Sequence, residues 1–169
     1  GVVLSTTTYD EFGRAINQDD AKSDNQKLSF NYTETTDRIA TKVTDRNGNQ
    51  KAMVFDKNYK LLQETDPIGL SKTYQYTDGG QPTSITDGNG NTTSITYNQY
   101  GDITSITAAD GSTETRTYDS RRNLLKVTNA YGKEKAFTYD VSNNLITSID
   151  ELGNTTNYSY DSNHQLISE

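Results

Sequence analysis

The feature that most constrains this chain is a repeat of about 21 residues that runs through its 169 residues. An aromatic residue marks each copy, with spacings of 23, 23 and then five times 21 residues. The aromatic positions are Tyr9, Tyr32, Phe55, Tyr76, Tyr97, Tyr118, Tyr139 and Tyr160. A fixed period of this length indicates tandem copies of one small unit. The sequence therefore predicts a single array of about eight repeats over 1–169, with longer, irregular repeats over 1–50 and regular repeats over 51–169.

Glycine provides a second marker with the same period. The glycines stand 21 residues apart, at Gly48, Gly69, Gly90, Gly111, Gly132 and Gly153. Three residues before each glycine the chain has Asp in four copies, Asn in one and Ala in one. Asp and Asn side chains accept hydrogen bonds from nearby backbone amides, and glycine adopts a positive φ without steric cost. Each repeat is therefore predicted to contain a tight turn closed by a left-handed glycine.

The segments between these turns alternate between apolar and polar residues. Tyr74 stands two residues before Tyr76, and Ile95 two before Tyr97, so each pair shares one face of a strand. Arg116 is the exception at this position. A second turn follows the aromatic residue, and two strands with two turns in 21 residues leave no room for a helix of the usual ~11 residues. The predicted fold is all-β, a series of antiparallel hairpins, because parallel neighbours need a crossover of about a dozen residues.

The number of strands sets the expected dimensions of the array. About 15 strands spaced ~4.8 Å apart would form a ribbon roughly 70 Å long, and sheet twist predicts a spiral or an open segment of a shell. Residues 14–27 carry few apolar positions, which predicts an irregular loop or a frayed strand there. Since a repeat cannot bury its face alone, its stability must come from neighbouring repeats. Unpaired strand edges at the two ends predict end-to-end self-association.

Composition and charge exclude several classes of partner. The formal net charge is -7 and the isoelectric point is about 4.7, so the chain would repel nucleic acid. The sequence lacks cysteine and has no apolar stretch of the ~20 residues that membrane insertion requires. Its mean hydropathy of -0.89 is low for a folded domain. The 12 tyrosines and the regular pattern nevertheless favour ordered strands.

The recurring string around the aromatic residue resembles a known repeat family. It is clearest at 92–98, TTSITYN, and at 134–140, EKAFTYD. These segments resemble the YD repeat, or RHS repeat, of bacterial wall-associated and polymorphic-toxin shell proteins, and more distantly the YD shell of teneurins. The resemblance implies a long β-strand spiral that can close into a hollow shell around a C-terminal toxin domain. Related arrays serve as adhesive stalks or bind carbohydrate.

Two segments resemble functional motifs but fit the repeat's turn equally well. Residues 66–70, DPIGL, are similar to the DPxGL self-cleavage motif of RHS-type proteins, yet Asp66 and Gly69 fall on the turn positions. Residues 87–91, DGNGN, are similar to the start of a calcium loop. That loop needs Gly at its sixth position and Glu at its twelfth, where this chain has Thr92 and Asn98. Ordinary β-turns are favoured at both places, and no metal or cofactor is predicted.

The remaining candidates for chemistry are few. His164 is the only histidine, so a His-based metal site or a Ser-His-Asp triad lacks its residues. The 23 acidic residues lie largely in the repeated turns, where they should be solvated, and no enzymatic activity is expected. The tyrosine rows either form the core, with their hydroxyls at its edge, or face solvent and stack on sugar rings. Burial of Tyr97 and Tyr118 distinguishes these two alternatives.

Two functional hypotheses follow from the sequence. The first is a structural scaffold of a large secreted or cell-surface protein, part of a shell or stalk that encloses or presents a C-terminal toxin or effector domain. Its partners would be other repeats and domains of the parent protein. The second is an adhesion module that binds carbohydrate or a cell-surface protein. The Thr-, Asn- and Ser-rich composition looks like that of wall-associated Gram-positive versions, so a secreted or cell-wall location is expected.

Overall fold

The computed structural model describes residues 6–19 and 27–169. Within them every regular element is a β-strand. The chain divides into two compact units, Gly1–Asn91 and Thr92–Glu169. The prediction of an all-β fold built from tandem antiparallel hairpins is confirmed, and each unit is described by itself below.

The described residues of the first unit form eight strands that are hydrogen bonded antiparallel in chain order. They are β1 (Thr6–Tyr9), β2 (Ala15–Asp19), β3 (Leu28–Glu34), β4 (Arg38–Thr44), β5 (Gln50–Asp56), β6 (Leu61–Thr65), β7 (Ser71–Tyr76) and β8 (Pro82–Thr86). The predicted irregular segment over 14–27 contains strand β2, and its residues 20–26 lie outside the described residues. Chain order is maintained because the connections from β1 to β2 and from β3 through β8 are short turns, which return the chain antiparallel alongside itself.

The second unit contains nine strands in two separate pairings. Strands β9 to β15 are antiparallel in chain order, and β16 pairs with β17 alone. They are β9 (Thr92–Tyr97), β10 (Ile103–Thr107), β11 (Thr113–Tyr118), β12 (Leu124–Thr128), β13 (Glu134–Tyr139), β14 (Leu145–Ile149), β15 (Thr155–Asn157), β16 (Ser159–Tyr160) and β17 (Leu166–Ser168). Pairing with β14 ends just after β15, where the Tyr158 N–H donates a last backbone hydrogen bond to the Ile146 carbonyl over 3.0 Å.

The two faces of each sheet differ in chemistry. In β9, Ile95 and Tyr97 lie on one face and are half-buried, whereas Ser94 and Thr96 lie on the other and are exposed. Cross-strand neighbours preserve this separation, since Ile95 pairs with Ile106 and Ser94 with Thr107. One face is therefore aromatic and aliphatic, and the other is a ladder of Ser and Thr hydroxyls.

Burial in this protein is shallow throughout the described residues. Ile39 in β4, at 9% exposure, is the one apolar side chain there that counts as buried. The repeat tyrosines in the described residues are mostly half-buried. Stability must therefore come largely from contacts along each sheet, as expected for a repeat protein.

Candidate functional site

The repeated functional feature of this chain is the junction between consecutive hairpins, where a tyrosine hydroxyl reaches back to the preceding hairpin. Tyr118 donates a hydrogen bond to the Ile103 carbonyl, 15 residues earlier, over 2.9 Å. The same bond joins Tyr32 to Ala15 at 2.9 Å, Tyr76 to Leu61 at 2.7 Å and Tyr160 to Leu145 at 2.9 Å. The aromatic position thus combines a half-buried ring with a specific polar contact to the previous repeat.

The carbonyl that accepts the tyrosine hydroxyl lies beside a β-bulge. In the hairpin of β13 and β14, Thr138 faces Thr147 but Tyr139 faces Leu145, so one residue of β14 is extra. A bulge of this kind interrupts the regular ladder and leaves a residue without its usual partner. The carbonyl that accepts the tyrosine hydroxyl belongs to the first residue of the bulged strand, as at Leu145 and Tyr160. This residue directly precedes the extra residue Ile146, so the tyrosine of the next repeat bonds to the backbone beside the bulge.

Asp or Asn side chains organise almost every turn in the same way. Asp119 accepts the backbone N–H groups of Arg121 and Asn123 at 2.9 and 2.8 Å through Oδ1. Its Oδ2 accepts the side-chain amide of Asn123 at 2.9 Å. The backbone closes with Arg122 N–H to the Asp119 carbonyl at 3.1 Å. This is a type I turn followed by a left-handed residue, a common hairpin connection.

Hydrogen bonding lowers the pKa of these turn aspartates. At Asp119 and Asp45 the first cause is the side-chain amide of the Asn four residues on, followed by burial, which opposes it, and by the backbone amides. At Asp140 and Asp150 the corresponding Asn again comes first, and the pKa of each carboxyl is lowered. The turn geometry thus favours the ionised carboxylate, which accepts all of these bonds at once.

The left-handed residue of the aromatic-side turn is a feature that the sequence reasoning missed. At this position φ is positive at Tyr59, Arg122, Asn143 and His164, as well as at Gly13, Gly80 and Gly101. All of these residues stand four positions after the aromatic marker. The second turn itself was predicted from the sequence, and the glycines at three of these positions are the sequence signal for its left-handed residue. The predicted glycines of the other turn have φ values from 74 to 91°.

In the second unit the left-handed side chains form a ladder between successive turns. Arg122 bonds both carboxylate oxygens of Asp102, with its closest contact at 2.5 Å. One turn further on, the Asn123 side-chain amide donates to Asn143 over 2.9 Å. Asn144 and His164 continue the series at 3.0 Å. Arg122, Asn143 and His164 therefore each contact the last residue of the preceding turn, 20 residues earlier.

Side-chain size is matched across two turns of the first unit. Leu70 occupies a position where other repeats have Asn, Ser or Lys, and it lies against Gly88 of the following turn. A Cβ atom at Gly88 would stand 2.7 Å from the Leu70 Cβ atom, which real side chains do not tolerate. The equivalent residues Ala109 and Ala130 carry side chains, so Gly88 reflects the presence of Leu70.

The two motif-like segments both form these ordinary turns. Asp66 accepts the backbone amides of Ile68 at 3.0 Å and Leu70 at 2.9 Å. Asp87 accepts the amides of Asn89 and Asn91, and its second oxygen accepts the Asn91 side chain at 2.9 Å. In the part of the chain that the structure describes, no group of three or more His, Cys, Asp or Glu residues is arranged to hold a metal ion.

An ionic network on the aromatic face joins strands β5, β6 and β7. Tyr74 donates to Glu64 over 2.6 Å, and Lys51 pairs with the same carboxylate at 2.8 Å. Burial, followed by the bond to Glu64, raises the pKa of the Tyr74 phenol to about 12. The hydrogen bond of Lys51 and then that of Tyr74 lower the pKa of Glu64. Tyr74 therefore stays protonated at physiological pH and acts as a hydrogen-bond donor.

The burial of Tyr97 and Tyr118 matches neither of the two alternatives for the tyrosine rows, which were a buried core and rings that face solvent. Both side chains are half-buried, so neither is deep core and neither is as exposed as Tyr131, at 90%.

No helix among the described residues is long and apolar enough to cross a membrane.

Comparison of the sequence with protein families assigns the chain. The model of the RHS Repeat family matches residues 56–92, 97–134 and 139–169, together more than half of the chain. This chain belongs to the RHS repeat family. The matched ranges include the junctions of Tyr118 and Tyr160 described above, so this RHS array is a structural repeat scaffold. A search of curated proteins finds no match.

Solved structures share the fold of this RHS array. The crystal structure of TcdB2-TccC3 without the hypervariable C-terminal region matches with a TM-score of 0.64, at 16% identity over 97% of this chain. The crystal structure of TcdB2-TccC3-TEV matches with a TM-score of 0.57, at 14% identity over 96% of this chain. This chain spans only 10% and 13% of those two chains. At such identities the likeness concerns the fold alone.

Proposed function

We propose that this RHS array is a wall segment of a larger secreted or cell-surface protein, in which it encloses or presents another domain and carries out no catalysis. The observation that supports this most strongly is the hydrogen bond from the tyrosine of one repeat to the preceding repeat, which Tyr32, Tyr76, Tyr118 and Tyr160 form. Such junctions make each hairpin depend on its neighbours, so an array can be extended in chain order.

The fold likeness supports the same proposal. The matching chains are about eight to ten times longer than the 169 residues here, since the array spans 10% and 13% of them. This array has shallow burial and one apolar face. Further repeats or an enclosed domain would bury more of that apolar surface and so stabilise it. Partners are accordingly expected within the parent protein. The Gram-positive wall, the binding of carbohydrate and end-to-end self-association stay predictions.

Protease protection in the parent protein tests enclosure. One protease recognition sequence is inserted at the turn of Val141, which is 91% exposed, and another in the C-terminal domain. Under native conditions we expect cleavage at the Val141 turn and protection of the second sequence, with cleavage of both after denaturation. Equal native cleavage rates at the two positions would contradict enclosure and favour an open stalk.

A further inference from the structure

The first unit contains a cleft of about 590 Å³ beside the turn between β3 and β4. Its lining combines four aromatic rings, an aliphatic side chain and an ion pair. The lining residues are Phe12, Arg14, Tyr32, Glu34, Ile39, Thr41, Phe55 and Tyr59. The volume lies within the range of ~300–1,000 Å³ that small-ligand pockets occupy.

A departure from the repeat creates this cleft. The hairpin of β3 and β4 has no bulge, so its pairing continues regularly to Glu34 opposite Ile39. Its turn is also shorter, because Thr35 N–H donates directly to the Arg38 carbonyl at 2.9 Å. This is the copy with a 23-residue spacing after Tyr32. The longer strands carry Glu34 and Ile39 to the edge, between the two flanking turns.

Each flanking turn holds an aromatic ring in solvent. Phe12, between β1 and β2, is 73% exposed, and Tyr59, between β5 and β6, is 75% exposed. Tyr59 has a φ of 61°, in the left-handed region that disfavours a bulky side chain. Equivalent positions hold glycine or a side chain that bonds the preceding turn. Backbone strain that keeps a ring exposed beside a cleft is an indication of function.

The polar wall of the cleft is already neutralised. Arg14 pairs with Glu34 at 2.6 Å and with Asp10 at 2.7 Å, and Lys57 lies 3.4 Å from the second oxygen of Glu34. The Arg14 guanidinium also lies 4.5 Å from the centre of the Tyr32 ring. Two cations balance two carboxylates, so the cleft has no net charge with which to select a charged ligand. Glu34 keeps a half-exposed carboxylate that can accept further hydrogen bonds.

We propose that this cleft binds a tyrosine side chain presented by another protein segment. A phenol ring is neutral and flat, so it can pack against Phe12 and Tyr59, where aromatic pairs gain more than their buried area alone. Its hydroxyl can donate to Glu34. The chain itself makes that pairing elsewhere, since Tyr74 donates to Glu64 over 2.6 Å. This binding activity goes beyond the scaffold role and does not depend on it.

Titration with N-acetyl-tyrosinamide, followed by saturation-transfer NMR, tests the proposal on the chain as it stands. We expect saturable binding that is weaker for N-acetyl-phenylalaninamide, which lacks the hydroxyl, and no competition by glucose. Tyr59→Gly should weaken binding by about 2- to 12-fold, the equivalent of one aromatic pair. Because glycine suits the left-handed position, this variant should not lower the melting temperature.

Two further variants make the outcome decisive. Glu34→Gln should weaken binding of the tyrosine probe more than that of the phenylalanine probe, because a neutral amide is a poorer acceptor. Tyr131→Ala removes an exposed ring outside the cleft and should leave binding unchanged. The proposal is wrong if the tyrosine probe does not bind, if Tyr59→Gly binds it as well as the parent chain, or if glucose displaces it.

Discussion

At the scale of single residues, the aromatic marker has two separate roles. Its ring is half-buried, and its hydroxyl donates to a carbonyl beside a bulge, as Tyr118 does for Ile103. Phe55 occupies the same position without a hydroxyl, so the ring alone is compatible with the repeat. The hydroxyl adds a directional contact that fixes how one hairpin meets the one before it.

Removing that hydroxyl should therefore destabilise the array modestly. We expect Tyr118→Phe to lower the free energy of unfolding by about 0.5–1.5 kcal/mol, the usual net value of one hydrogen bond. Urea denaturation followed by circular dichroism measures the change. Tyr131→Phe is the matched control, since that ring lies in solvent and should be neutral. A Tyr118→Phe variant as stable as the control would show that the bond adds nothing.

The left-handed residues provide a second prediction at this scale. Asn143 has a φ of 67° and accepts the amide of Asn123. Asn143→Ala loses this bond and places a Cβ-bearing residue with no local polar contact in the left-handed region, at a cost of about 1–2 kcal/mol. Asn143→Gly loses the same bond, but glycine adopts the left-handed conformation without steric cost. This variant should therefore be clearly more stable than Asn143→Ala. Equal denaturation midpoints for the two variants would contradict the role of backbone strain.

At the scale of elements, nearly all hairpins use one turn geometry, and two departures from it are informative. The hairpin of β3 and β4 omits the bulge and opens the cleft between its neighbours. The turn after β6 carries Leu70 in place of a polar residue, and the next turn accommodates it with Gly88. The second departure shows that adjacent turns are fitted to each other and are not interchangeable.

This fit predicts a coupled pair of substitutions. Gly88→Ala should cost about 1–3 kcal/mol, the usual penalty for overpacking, because the new methyl group meets the Leu70 Cβ atom. Leu70→Asn restores the residue that other repeats have and should make Gly88→Ala tolerable. A double-mutant cycle by chemical denaturation measures the coupling. Additive effects would show that the two turns do not constrain each other.

At the scale of the whole molecule, polar contacts carry an unusual share of the stability. Ile39 is the one buried apolar residue among those described, whereas ionised aspartates organise turns in both units. The pKa of these carboxyl groups is lower in the folded state, so the stability they provide is complete above the unfolded pKa of about 3.9. It is lost as the pH falls below that value through the folded pKa.

Acid should therefore lower the stability of this protein through protonation of the turn carboxylates, even though its net charge is then small. The net charge of -7 disappears near the isoelectric point of 4.7, which relieves self-repulsion before the turns protonate. We expect the melting temperature to hold to about pH 4 and to fall below it. Asp119→Asn, combined with the same change at Asp140 and Asp150, should flatten the dependence, because Asn98 and Asn129 already organise turns without a charge. An unchanged pH profile in that triple variant would contradict the argument.

The sequence by itself determined the repeat, the all-β hairpins and the family resemblance, because periodicity and turn chemistry are local properties. The glycine and Asp positions identified one turn in each copy. The sequence also predicted the second turn after the aromatic residue, but not its left-handed residue at Tyr59, Arg122 and His164, because residues other than glycine there hide that backbone conformation. Three glycines at the same position were the signal that was available.

Only the tertiary structure decided which repeats contact one another and through which atoms. The acceptor of the Tyr118 hydroxyl lies 15 residues away on a bulged strand, and the partner of Arg122 lies 20 residues away on another turn. Neither contact follows from a pattern along the chain, because each depends on the register and spacing of neighbouring hairpins. The cleft at Phe12 and Tyr59 likewise lies where the β3–β4 hairpin keeps regular pairing, whereas the other hairpins that follow an aromatic marker contain a bulge.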